Sequence, residues 1–291
     1  MVSLFTKSVV VTGAGGGIGA EVARACAALG ARVVVNDINP AAAQEIADLI
    51  VREGGQAIAN ASNISTWDGA EVLIAHCVAQ FGAIDGLVNN AGIYQRGLPH
   101  EPTEAEIREL LQVNVMGTMF CTVHAVRHMR AAGSGSIVNV TSGAQVGLPA
   151  MGVYGASKGA VASYTYSCAL DLKADGIRVN AISPMAKTKM DDVNFAYYAR
   201  NAKEGSPVPH VPADNAPAVC FLLSDSAADV TGQVVRIEGD KLCLMTHPAI
   251  LLPVHKVEAR SADAVANAFD NGLHAMQIPL GLISVKGTSG A

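Results

Sequence analysis

Short apolar runs rich in β-branched residues alternate with alanine-rich stretches of helical period from residue 8 to about residue 182, and this alternation constrains the fold more than any other feature of the chain. The runs at Ser8–Thr12, Arg32–Asp37, Gln56–Ala61, Ile84–Asn89, Ser136–Thr141 and Ile177–Ile182 predict strands. They are apolar at successive positions rather than at every second one, the pattern of a parallel sheet covered by helices on both faces. Between them, Gly17–Leu29, Pro40–Arg52, Trp67–Phe81, Thr103–Ala131 and Tyr154–Ala174 predict helices. Consecutive β-α-β units joined by right-handed crossovers build an α/β, doubly wound parallel sheet. No linker interrupts the series, so residues 1–240 are expected to form one domain.

After residue 183 the pattern loosens. Pro184, Pro207, Pro209 and Pro212, with Met185, Met190, Phe195, Tyr197 and Tyr198 between them, mark residues 184–212 as a long loop of the kind that binds substrate. A helix over Ala213–Leu223 and a strand over Gln233–Glu238 complete the domain. Residues 241–291 are expected to form a C-terminal extension, with a hairpin over Leu242–Val257, a short helix over Ala262–Phe269 and a frayed Gly/Ser tail.

Composition excludes several function classes. Half of the residues are hydrophobic and 15% are charged, which is incompatible with disorder. Twenty basic against 25 acidic side chains leave a formal charge of −5, without the basic patch that nucleic-acid binding requires. No apolar run approaches the ~20 residues that span a bilayer. Only seven residues precede the first strand, which predicts no cleaved leader. Cys26, Cys77, Cys121, Cys168, Cys220 and Cys243 are widely spaced with no Cys-x-x-Cys pair, a pattern of buried free thiols in a reducing compartment, so the cytoplasm is expected.

Thr12-Gly13-Ala14-Gly15-Gly16-Gly17-Ile18-Gly19 follows the first strand and opens the first helix. Glycines there let backbone N–H groups approach a pyrophosphate at the positive end of the helix dipole. The second strand ends at Asp37, eighteen residues beyond Gly19. A carboxylate at that place accepts hydrogen bonds from ribose hydroxyls and repels a 2′-phosphate. Neither the glycine turn nor Asn36–Asn39 carries Lys or Arg, so NAD is expected rather than NADP.

Tyr154-Gly155-Ala156-Ser157-Lys158 sets a phenol and an ammonium four residues apart on one helix face. A phenol near pKa 10 is a poor base at neutral pH, and positive charge from the lysine and from an oxidised nicotinamide ring favours the phenolate. Twelve residues upstream, Ser142 ends the fifth strand, where its hydroxyl can reach a substrate oxygen. Asn89-Asn90-Ala91-Gly92 ends the fourth strand, and Asn114 lies in the helix that follows.

This set, in order and spacing from Val9 to Gly239, resembles the short-chain dehydrogenase/reductase family. The resemblance implies a Rossmann fold and a tetrad. Tyr154 would be the general acid/base, Lys158 would bind the nicotinamide ribose and depress the phenol, Ser142 would steady the substrate oxygen, and Asn114 would hold a water in a relay to Lys158. It further implies cofactor contacts from Gly13, Gly17, Ile18 and Gly19 in the turn. Asn63 and Ile64 would flank the adenine and Asn90 the adjoining ribose, Gly92 would belong to backbone passing close to the cofactor, and Pro184 and Thr188 would lie at the nicotinamide end. It also implies a homotetramer or homodimer built on the helices Thr103–Ala131 and Tyr154–Ala174. The chain departs from the family at Met185, where glycine usually follows the proline, at Asn63, where aspartate is common, and at Asp240, where a second glycine is frequent.

The function expected is an NAD-dependent interconversion of a secondary alcohol and its ketone. The apolar loop Val146–Val153 and the Met/Tyr-rich loop after it suggest a sizeable hydrophobic substrate, such as a steroid, terpenoid or cyclic alcohol. The alternatives are a 3-hydroxyacyl thioester dehydrogenase or 3-oxoacyl thioester reductase and, more distantly, a catalytically idle nucleotide-binding member. No metal is expected: His124 and His128 stand four apart without a third ligand, and read as a solvated or interface helix face.

Overall fold

The computed structural model describes residues 1–187, 193–194, 196–197, 210–254 and 261–285. Within them, β1 (Ser8–Thr12), β2 (Arg32–Asn36), β3 (Gln56–Asn60), β4 (Gly86–Asn89), β5 (Gly135–Val140), β6 (Ile177–Ser183), β7 (Val234–Glu238) and β8 (Lys241–Leu244) form one sheet in the order β3-β2-β1-β4-β5-β6-β7-β8. The first seven strands are parallel and β8 is antiparallel to β7. Strand order reverses between β1 and β4, which opens a crevice at their carboxyl ends.

The connecting helices are α1 (Gly17–Ala28), α2 (Pro40–Arg52), α3 (Trp67–Phe81), α4 (Glu104–Leu111), α5 (Thr118–Ala132), α6 (Gly152–Asp171) and α7 (Ala216–Leu223). Their placement explains the unbroken valine runs. Val9, Val11, Val33 and Val35 face one core layer with Val22 and Cys26 of α1 and Leu222 of α7. Val10 and Val34 face the opposite layer with Leu73 and Ile74 of α3 and Cys121 and Met129 of α5. Neighbouring strand positions are therefore both buried, and at ~25 cal/mol per Å² of apolar surface this two-sided burial is the main stabilising term. No described helix is long and apolar enough to cross a membrane.

Three features differ from the expectations. The helix expected over Thr103–Ala131 is interrupted by a wider π-helical turn at Gln112–Gly117, between α4 and α5. The hairpin expected over Leu242–Val257 forms instead between β7 and β8. Glu238 pairs with Lys241, and Gly239 (φ +61°) and Asp240 make the two-residue turn. Cys243, on that edge strand, is exposed, and Cys168 is half-buried, whereas Cys26, Cys77, Cys121 and Cys220 are buried; all six are free thiols.

The chain divides into two compact units, Met1–Met245 and Thr246–Ala291. In the second, α8 (Ala262–Asp270) is capped by the Ser261 hydroxyl, which accepts the N–H of Ala264 at 3.2 Å, and a short 3-10 turn follows at Leu273–Met276. Neither element has a buried residue.

Candidate active site

Every strand that carries a sequence-derived candidate delivers it from its carboxyl end. Thr12 and Gly13 follow β1, Asp37 follows β2, Asn63 and Ile64 follow β3, Asn90 and Gly92 follow β4, Ser142 follows β5 and Pro184 follows β6.

Thr12 knits the crevice together. Its hydroxyl accepts the N–H groups of Asn90 (3.1 Å) and Ala91 (3.0 Å) and donates to the Val88 carbonyl at 3.3 Å. The Asn90 amide donates back to the carbonyls of Thr12 and Gly13, both at 2.9 Å. Gly13 is left-handed (φ +61°), and a Cβ there would stand 2.7 Å from the Ala91 backbone. A side chain at Gly19 would collide with the Asn90 amide and the Gly13 carbonyl. Asp37 braces the turn from the other side, one carboxylate oxygen accepting the Gly15 N–H and the other the Asn39 N–H, each at 3.0 Å.

These residues fit a dinucleotide. Side chains cap α2 (Asn39), α3 (Thr66) and α4 (Thr103), whereas α1, like α5, α6 and α7, has no side-chain cap and no acidic residue in its first turn; α1 differs in opening directly from the glycine turn at the crevice. Gly16, which opens α1, has no atom within 4 Å of where its Cβ would lie. The amides of Gly17 and Ile18 thus sit in an uncapped first turn that suits an anion. Asn63 and Ile64 also serve the fold. The Asn63 side chain closes a turn by accepting from Ser65 N–H (3.0 Å) and Ser65 Oγ (2.7 Å), and Ile64 is buried against Gly117 of the π turn. Pro184 and Met185 are half-buried after β6, while Thr188 lies outside the described residues.

The chemical groups converge from three elements. Tyr154 and Lys158, one turn apart on α6, are 7% and 5% exposed. Tyr154 lies in an apolar cluster with Leu110 and Ala144, lined by Ile93, Tyr94, Leu148, Met151 and Val153. Ser142 follows β5, its hydroxyl accepting the Ala144 N–H at 3.2 Å and standing close enough to the Tyr154 phenol to favour its charged form. Asn114 is buried within the π turn, where its amide clasps Ile93 at both ends. Its Oδ1 accepts the Ile93 N–H at 2.8 Å and its Nδ2 donates to the Ile93 carbonyl at 3.0 Å. Nδ2 also reaches Ser157 Oγ at 3.2 Å, and Ser157 donates to the Tyr154 carbonyl at 2.7 Å. Lys158 Nζ donates to the Val140 carbonyl at 2.8 Å. A Cβ on Gly92 would lie 3.2 Å from Asn114 Oδ1 and 3.5 Å from Lys158 Nζ, so both groups border one small space.

The lysine alone does not depress the phenol. Burial pushes Tyr154 up to about 12; the Ser142 hydroxyl opposes the rise and the neighbouring Tyr94 phenol adds to it. Lys158 is itself driven down to about 8 by burial. Its Nζ is committed to Val140 and lies 5.8 Å from the Tyr154 ring centroid, too far to overcome desolvation. The protein's own groups therefore hold the phenol protonated.

Sequence reasoning missed Thr12, Ser157, Tyr94 and the Val140 and Ile93 backbone groups. Ser157 lay inside a quoted motif, whereas a backbone acceptor such as Val140 leaves no trace in a sequence. The solvated or interface face expected at His124 is also corrected, because that ring is buried within the chain against Trp67 with centroids 4.4 Å apart, and desolvation lowers its pKa. Among the described residues no group of three or more His, Cys, Asp or Glu side chains could hold a metal ion.

The comparisons with known proteins bear on the family and the fold. The sequence profile of the short chain dehydrogenases matches residues 7–197. The cis-4-hydroxycyclohexanecarboxylate dehydrogenase of Sinomonas cyclohexanicum is 39% identical over 241 residues, covering 79% of this chain and 94% of that enzyme. The crystal structure of a short chain dehydrogenase from Mycobacterium avium superposes with a TM-score of 0.84 at 35% identity, covering 95% of this chain and 97% of the other. A gluconate 5-dehydrogenase from Burkholderia cenocepacia, solved with NADP and tartrate, superposes with a TM-score of 0.73 at 30% identity, covering 82% and 96%.

Proposed function

The chain belongs to the short chain dehydrogenases, and from that premise we propose that it is an NAD-dependent oxidoreductase interconverting a cyclic secondary alcohol and its ketone. The observation that carries this reading is the convergence of a buried phenol, a serine hydroxyl beside it and a lysine one turn away, next to a glycine turn that leads into an uncapped helix.

In the oxidative direction the Tyr154 oxygen takes the alcohol proton while the Ser142 hydroxyl steadies the same substrate oxygen. Lys158 holds the ribose next to the nicotinamide, and Asn114, fixed on Ile93, sets the wall of the small space beside Lys158 through which a proton can pass. A bound oxidised nicotinamide supplies the electron acceptor, and its ring adds the positive charge that draws Tyr154 toward the phenolate. The apolar wall of Ile93, Leu148, Met151 and Val153 excludes water and suits a hydrocarbon ring. The relative from Sinomonas, whose name specifies a hydroxylated cyclohexane ring, supports a cyclic substrate.

NAD is favoured because Asp37 places a carboxylate at the end of β2, where a 2′-phosphate would meet like charge. The NADP bound by the gluconate 5-dehydrogenase makes this preference a point to measure. Assembly as a homotetramer is supported by the partly exposed Leu111 just before the π turn, Met116 within it and the exposed Leu170 on α6, and light scattering of the purified protein measures it. The reaction itself is tested by turnover of cyclic alcohols, acyclic alcohols and 3-hydroxyacyl thioesters with NAD or NADP, followed at the reduced-nicotinamide absorbance. Cyclic alcohols with NAD should turn over fastest. Turnover confined to thioesters, or a preference for NADP, would overturn the assignment.

A further inference from the structure

The Tyr154 ring is not held by its own helix alone. Tyr94, in the loop after β4, meets it edge-on, with ring centroids 4.8 Å apart and an interplanar angle of 74°. The Tyr94 hydroxyl in turn donates to Asn194 Oδ1 at 2.5 Å. That same oxygen accepts Arg96 Nη1 at 2.9 Å, and the Arg96 guanidinium lies 5.1 Å over the Tyr197 ring, which is buried. Arg96 Nη2 reaches the Pro149 carbonyl at 3.4 Å, and Gly97 N–H donates to the Ala150 carbonyl at 2.8 Å. One amide oxygen thus ties together residues from two places in the chain and, through Arg96, a third.

We propose that Tyr94, Asn194 and Arg96 act as one positioning unit for the Tyr154 phenol, in which the Tyr94 ring sets the plane of the Tyr154 ring and Asn194, held by Arg96, locks Tyr94 in place. The proposal rests on the reading of Tyr154 as the acid/base. The physical ground is that an edge-to-face aromatic contact fixes ring orientation only while the partner ring is itself immobile. The hydrogen bond at the far end of Tyr94 contributes to that immobility, and Asn194 can accept from both donors because an amide oxygen has two lone pairs. None of the three needs to touch substrate, and their effect is on where the phenol oxygen stands.

The test is steady-state kinetics at saturating dinucleotide, with dinucleotide affinity from fluorescence titration and melting temperature for each variant. Tyr94→Phe keeps the ring and removes the hydroxyl that anchors it to Asn194, and Asn194→Ala loses the acceptor. Each should lower kcat about tenfold, since displacements well under 1 Å already misalign a proton transfer. The KM for the alcohol, dinucleotide affinity and melting temperature should stay near those of the parent. The double variant should be no worse than either single one, because both break the same link. Asn194→Asp, which keeps the accepting oxygen, should retain most of the parent kcat. Parent-level kcat in both single variants would overturn the proposal, as would effects that multiply in the double variant. A change confined to the KM for the alcohol would also overturn it, by assigning the Tyr94 hydroxyl to substrate contact instead. Tyr154→Phe is run alongside: if it remains active, the acid/base reading fails, and if it is dead while Tyr94→Phe is normal, only the positioning unit fails.

Discussion

Replacing Lys158 with methionine should make the protein inactive and more stable at neutral pH. The side chain is 5% exposed, and the hydrogen bond its ammonium makes goes to the neutral Val140 carbonyl. Burial drives its pKa from 10.5 to about 8. Below pH 8 the ammonium is charged in both the folded and unfolded states, and the folded state carries the whole cost of desolvating it. Between about 8 and 10.5 the folded protein has shed a proton that the unfolded chain keeps, so stability rises with pH. Above 10.5 the cost is gone. The gap between the two pKa values corresponds to about 3 kcal/mol. Methionine is similarly long and apolar, so it removes that cost, while loss of the bond to Val140 costs about 1 kcal/mol. Lys158→Met should therefore gain about 2 kcal/mol at pH 7 and lose about 1 kcal/mol near pH 11, a change of sign with pH. Urea midpoints of parent and variant at the two pH values, without dinucleotide, measure it. An equal shift at both pH values, or destabilisation at pH 7, would refute the reasoning.

Tyr154→Phe should lower kcat at least about a hundredfold with dinucleotide affinity unchanged, as steady-state rates and fluorescence titration will show. Gly13→Ala places a side chain at φ +61° and 2.7 Å from the Ala91 backbone; a loss of about 1–3 kcal/mol and a weakened dinucleotide site are expected from melting and titration. Asp37→Ser should narrow the preference for NAD over NADP by about 10- to 100-fold in kcat/KM, through loss of like-charge repulsion and of the brace on Gly15. Native titration with an aromatic disulfide reagent should show one fast thiol, Cys243, with the buried thiols reacting only on unfolding, since burial pushes Cys77 and Cys121 up to about 12.

Much of the sheet was legible because its strands are covered on both faces, so Val9-Val10-Val11 and Val33-Val34-Val35 could report burial without needing a period. The glycine turn and the Tyr154–Lys158 pair were legible because their chemistry depends on local spacing. The π turn was not, because a helix widened by one residue keeps nearly the same apolar stripe. The state of Tyr154 was not legible either. Spacing brings a lysine near the phenol but cannot reveal that its ammonium is committed to a strand carbonyl, or that desolvation outweighs charge at 5.8 Å. The hairpin was displaced because its turn, Gly239-Asp240, stands where the family often has a glycine pair, and so reads as a family position rather than as a chain reversal.

The widened turn at Gln112–Gly117 carries a consequence for how this chain can change. Removing a single residue between Leu111 and Thr118 would let α4 and α5 merge into one regular helix, a better helix by every local measure. Each residue advances a helix by about 100°. Such a shortening would swing the Asn114 amide off Ile93 or drag all of α5 out of its seat on the sheet. Small deletions here should be tolerated by neither half, although the segment contains no group that reacts.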